Sequence, residues 1–201
     1  MPTTSQRPAF SRRLLLCAAA TMIVILAGAP DSYADDNDRG DGVQSWAVGH
    51  TTHLPAMTAQ YNNQTIREIV HTSVGGNQVR VRISNTFGSA PLVIGEAHVA
   101  VTSSGASIVP GTDRALTFGG RTSVTIPAGA PALSDPVNLH VQPVSDIAVS
   151  IYLPNPTKGE TTTFLQGTSF VSPGNVTRSV SLTGATSLSE WPFVSGVSVV
   201  T

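Results

Sequence analysis

Cysteine is almost missing from the 201 residues: Cys17 is the only one. It follows Leu16 inside an apolar run, whereas a lipid-attachment cysteine needs a small residue before it and a place at the end of the run. Lipidation is excluded on that ground. Beyond Cys17 the chain has no disulfide, thiolate metal site or cysteine nucleophile, so its stability must come from an ordinary core. Charge is scarce as well, at 11% of residues. From residue 35 onward Lys158 and seven arginines face eleven acids, a net charge of −3. No basic patch is present to neutralise a phosphate backbone, and nucleic acid is not expected as a partner. Long apolar runs are also lacking. The longest, Leu14–Gly28, is too short to cross a hydrocarbon layer of ~30 Å as a helix.

What the N-terminus does have is the layout of an export signal. Arg7, Arg12 and Arg13 precede the apolar run, Pro30 breaks it, and Ser32-Tyr33-Ala34 supplies a small-x-small cleavage site after Ala34. Ser11-Arg12-Arg13-Leu14-Leu15-Leu16 also fits a twin-arginine signal, so both the general secretory and the twin-arginine routes remain open. The reading is a signal peptide over 1–34 and an exported protein, periplasmic or extracellular, with no membrane attachment after cleavage. The remaining chain suits one domain. Asp35, Asp36, Asp38 and Asp41, mixed with glycine, read as a flexible acidic linker over 35–45. A calcium loop would need a bidentate glutamate at the right distance, and none follows.

From there the text is short Val/Ile/Thr-rich runs punctuated by Gly, Pro, Asn and Asp, with no helical periodicity. The expectation is an all-β, two-sheet antiparallel sandwich, jelly-roll-like, of nine or ten strands over 46–190, with a last strand over 191–201. Thr65–Ser73 and Gln78–Asn85 read as a hairpin around Gly75-Gly76-Asn77. In its second arm Val79, Val81 and Ile83 share one face, and Arg80 and Arg82 the other. Arg114–Phe118 and Ser123–Ile126 read as a second hairpin around Gly119-Gly120. Gly95 marks a bulge or close approach within Leu92–Thr102.

No catalytic set is legible. Serine hydrolysis needs an exposed serine, a histidine base and oxyanion donors. The chain has no G-x-S-x-G elbow, no Gly-Asp-Ser block and no Asp-x-x-His pair. His50 and His53 are close in sequence but lack a third ligand, so no metal is expected. No cofactor motif occurs either. Glu68 and Glu96 are not placed as an acid–base pair. Five residues remain as binding candidates. His71 is read as a polar strand residue bonded across the hairpin or as a ligand contact. Arg80 and Arg82 are a solvated face or a carboxylate or domain contact. Trp46 and Trp191 are packing anchors or a sugar platform.

Four stretches carry a family resemblance. They are Asn62–Ser73 (NNQTIREIVHTS), Gln78–Gly88 (QVRVRISNTFG), Ile108–Gly120 (IVPGTDRALTFGG) and Ser134–Val137 (SDPV). Together they resemble the N-terminal β-sandwich domain of bacterial secreted SGNH (GDSL-type) esterases and lipases. The resemblance implies an accessory domain whose partner is a catalytic domain hydrolysing carboxylic esters. It also implies that Trp191–Val199 is a connecting segment, with a Gly-Asp-Ser nucleophile block to follow. The sequence ends at Thr201, before that block is expected, so no catalytic residue is carried over. The alternative expectation is a stand-alone module binding carbohydrate or a surface.

Overall fold

The computed structural model describes residues 42–50, 60–160 and 168–200. The expected signal peptide, most of the acidic linker, Cys17, His53 and residues 161–167 lie outside the described residues. Among the described residues there is no helix.

Sixteen strands are formed, more than the nine or ten expected. In chain order they are β1 (Val43–Ala47), β2 (Gln60–Tyr61), β3 (Gln64–Thr72), β4 (Gly76–Asn85), β5 (Leu92–Ile94) and β6 (Glu96–Ser104). Then come β7 (Ser107–Ile108), β8 (Arg114–Ala115), β9 (Val124–Ile126), β10 (Ala130–Leu133) and β11 (Val137–Val141). The last are β12 (Ser145–Leu153), β13 (Thr157–Lys158), β14 (Thr168–Pro173), β15 (Thr186–Leu188) and β16 (Val194–Val200). Most of the surplus is two- and three-residue pieces, too short to show a side-chain period of two; β1 and β10 add five and four residues not expected as strands.

The first sheet runs β1-β16-β4-β10, with β11 also paired to β4; the second runs β15-β14-β3-β12-β6-β7, with β8 on β6. Two ribbons, β2 with β13 and β5 with β9, stand beside them. The named strand pairs are antiparallel. The architecture is an antiparallel sandwich, as the all-β reading expects. Alternation fills its interior. Val79, Val81 and Ile83 come from one sheet, and Ile66, Val70, Ile147, Val149 and Ile151 from the other; all belong to one buried cluster. Each such side chain contributes about 1.5–3 kcal/mol by leaving water. Pairing begins at Val43, inside the span read as linker, and β16 lies between two strands of a sheet.

The unit read most clearly as a hairpin is not one. β3 pairs with β12 and β14, whereas β4 pairs with β10, β11 and β16. The connection between them passes from one sheet to the other. Its glycines are not there for positive φ, which neither adopts. A Cβ on Gly75 would lie 2.5 Å from the Val141 carbonyl oxygen, and one on Gly76 2.6 Å from that of Val200. Glycine is required by the closeness of neighbouring backbone. The second expected hairpin also differs. Only a bridge between Phe118 and Arg121 closes it, and its arms go to β6 and to β5. Gly95 does mark a close approach: its N–H donates to the Tyr152 carbonyl at 3.0 Å, and a Cβ there would lie 2.8 Å from the Tyr152 ring.

Candidate functional site

The polar side chains of β3 occupy both faces of the second sheet, and both are buried. Arg67 is 0% exposed on the face away from the other sheet. Its Nε donates to Ser150 Oγ at 2.8 Å, Nη1 to the Ala106 carbonyl at 2.6 Å, and Nη2 to the carbonyls of Thr177 and Ser179 at 3.2 and 2.9 Å. Burial lowers the guanidinium to about 10, against the pull of Asp113, which leaves it charged at neutral pH. Glu68, one residue on, faces the inter-sheet core. Its carboxyl accepts the N–H groups of Phe193 at 3.2 Å and Val194 at 2.8 Å. Burial raises it to about 8, and the two N–H donors oppose that shift without cancelling it. Tyr61 packs edge-on against Phe193 and donates to Glu190 at 3.3 Å; burial first, then the charge of Glu190, raises its phenol.

A second polar cluster sits where β6 meets the loop after β14. His98 is 3% exposed and bridges two carboxylates, with Nδ1 2.9 Å from Asp113 Oδ2 and Nε2 3.0 Å from Glu96 Oε1. A ring protonated on both nitrogens satisfies both contacts. Arg178 donates twice to Glu96 Oε1, at 2.9 and 2.7 Å, and Asn175 donates to Oε2. Burial acts to raise the Glu96 carboxyl, but hydrogen bonds from Asn175, His98 and Arg178 outweigh it and hold the group at about 2. The His98 ring and the Arg178 guanidinium face the carboxyls of Glu96 and Asp113, and the cluster closes on itself. Among the described residues no group of three His, Cys, Asp or Glu side chains is arranged to hold a metal ion.

The remaining histidines divide in the same way. His71 does not bond across the β3–β4 connection; it is exposed, with Nδ1 2.7 Å from Asp146 Oδ1 on β12. His140 meets Asn77 and Gln142. His50 is buried with Nδ1 3.5 Å from Glu160 Oε2, and burial lowers its pKa despite that carboxylate. Glu160 also accepts the Phe87 N–H at 2.6 Å. Among the described residues no hydroxyl is hydrogen-bonded to a histidine ring. The base-to-nucleophile contact of serine catalysis is therefore missing there.

Trp46 and Trp191, far apart in sequence, meet with ring centroids 5.1 Å apart and planes tilted by 43°. Trp191 is 1% exposed, and its Nε1 donates to the Val194 carbonyl at 2.7 Å, so only Trp46 retains open surface. Arg80 Nε donates to the Ser134 carbonyl at 3.0 Å, and Arg82 is exposed. Arg80 and Arg82 lie on the sheet face opposite Val79, Val81 and Ile83.

Sequence reasoning missed Arg67 and His98 as hubs. His98 sits in a strand with nothing in its spacing to single it out. Arg67 sits in an alternating run where a charge normally means solvent. Compared with known proteins, the chain matches no protein-family model and no curated sequence.

Proposed function

We propose that this chain is the accessory β-sandwich domain of an exported SGNH-type carboxylic ester hydrolase, acting beside a catalytic half that carries the nucleophile. The observation that supports the reading is where the four family-like stretches put their polar residues. Each stretch contributes a hydrogen-bonding hub. Arg67 and Glu68 come from the first. Asn85, from the second, is 5% exposed and gives its amide to the carbonyls of Ala90, Ile126 and Pro127 at 2.9, 3.0 and 3.0 Å. Asp113, from the third, holds His98. Asp135, from the fourth, accepts the Thr117 hydroxyl at 2.6 Å and the N–H groups of Gly120 and Gly119 at 2.8 and 3.1 Å, contacts that lower its pKa, the Thr117 bond most. A motif set spent on bonds within the scaffold specifies a shape, which is what an accessory domain offers.

The expected result is that the chain purified from residue 35 onward does not hydrolyse p-nitrophenyl acetate above a heat-treated control. Sustained turnover abolished by a serine-directed inhibitor would overturn the accessory role. The esterase link has its own test in the coding sequence downstream of codon 201 and in neighbouring genes. A Gly-Asp-Ser block with a later Asp-x-x-His is expected, and a locus without either sinks the link.

The carbohydrate-module alternative keeps Trp46 as its one part-exposed tryptophan. Retention on insoluble polysaccharide that is lost in Trp46→Ala would favour it.

A further inference from the structure

A cavity of about 590 Å³ opens beside the ribbon of β5 and β9. The ribbon creates it. Leu92, Ile94 and Ile126 turn into the core, which leaves Val93 and its register partner Thr125 on the other face. The adjoining turn at Gly119-Gly120 is held rigidly. Phe118 and Arg121 exchange backbone N–H···O bonds of 2.8 and 3.3 Å, both glycines have positive φ, and their N–H groups are anchored on Asp135. The turn that borders the opening is therefore fixed by its own hydrogen bonds.

Its lining is chemically one-sided. Val93 gives an apolar wall, joined by the edges of Phe118 and Val124 that the core leaves uncovered, and Ser123, Thr125 and Arg121 are its polar lining residues. No acid lines it, and no described carboxylate forms an ion pair with Arg121. The nearest acid in sequence that touches the turn, Asp135, has both oxygens engaged. The size lies within the roughly 300–1,000 Å³ range of small-molecule sites. One guanidinium suits a single anionic head, and its fork matches a carboxylate.

We propose that this cavity binds a small amphiphilic carboxylate, with its apolar body against Val93, Phe118 and Val124 and its head on Arg121, assisted by the Ser123 and Thr125 hydroxyls. The proposal does not rest on the esterase reading. It can be tested by titrating the chain from residue 35 onward, labelled with nitrogen-15, with p-toluate and with its neutral counterpart p-toluamide. Saturable shifts centred on residues 118–125 are expected with the acid, and weaker binding by about tenfold or more with the amide. Arg121 is exposed, so Arg121→Gln should keep the wild-type spectrum elsewhere and lose affinity for p-toluate by a similar factor. Three outcomes overturn the proposal: no saturable shifts at millimolar p-toluate, equal binding of acid and amide, or unchanged affinity in Arg121→Gln.

Discussion

The two faces of the second sheet are built on different terms, and β3 shows both. Its inner face joins the large inter-sheet cluster through Ile66 and Val70, with Glu68 between them. Its outer face is covered only by a small satellite, Ile69, Ala100, Ile108 and Ala148 with Phe170 against them, and by irregular chain around residues 106 and 174–182. Each face of β3 buries one ionisable side chain, and the hydrogen-bonding capacity of each matches the backbone it serves. On the outside, irregular chain presents carbonyls that no ladder uses, and Arg67, a pure donor, takes three of them. On the inside, the start of β16 carries a register shift between Val194 and Gly196 and presents N–H groups; Glu68, an acceptor, takes two. Buried polar side chains here complete the hydrogen bonding of chain that has left the sheet pattern.

The largest effect expected from breaking this comparison is at Arg67. Arg67→Leu keeps apolar bulk but leaves three carbonyls and Ser150 without their donor. Unfolding free energy should fall by about 4 kcal/mol in urea denaturation, and proteolytic nicking should begin in 174–184. A loss below about 1 kcal/mol, with no new cleavage there, would mean that the outer cover does not depend on the guanidinium.

Glu68 is expected to act through pH. Its folded value, about 8, lies above its ordinary 4.5. The folded state thus holds the proton more tightly, and the associated stability is complete below about 4.5 and lost as pH rises through about 8. The unfolding free energy from urea denaturation should drop between these values by up to ~1.4 kcal/mol per pH unit, the limit for one proton. In Glu68→Gln, which cannot ionise, that slope should flatten. An unchanged slope in the variant assigns the pH dependence to other groups.

The smallest effect should come from His71, which shares the outer face with Arg67 but stays in solvent. Its 2.7 Å contact with Asp146 is between side chains 60% and 50% exposed. His71→Ala should remain within about 0.5 kcal/mol of wild type. A larger loss would give the surface pair a role that its exposure argues against.

The sandwich class was readable because Val79, Val81 and Ile83 alternate with polar residues, and Ile147, Val149 and Ile151 with Ala148, Ser150 and Tyr152, a period of two that marks strands. The path between sheets was not readable. Gly75-Gly76 fits a hairpin turn and a close backbone contact equally well, and the two differ only in what the flanking strands meet later in the chain. The polar hubs were hidden for a related reason. Arg67 and Glu68 are adjacent and so point to opposite faces of β3; each alone reads as a solvent-facing charge, and what buries them comes from residues 106, 177, 179 and 193, remote in sequence. The Trp46–Trp191 contact likewise joins the two ends of the domain, where no local spacing could announce it.

β16 has a consequence for how the molecule is made. It lies between β1 and β4, so the first sheet joins the opening residues of the domain to the last ones, with Val43 opposite Val199. While the chain is still being synthesised, β4 has no strand neighbour on that side, and β1 has only the hydrogen bonds of Ser45 to Ser73 and Val74. Completion of the sheet must wait until residue 200 has emerged from the ribosome, and that edge of β4 stays unpaired until then. For this chain the interval between synthesis and folding is a period of exposure, fixed by topology, in which aggregation competes with closure.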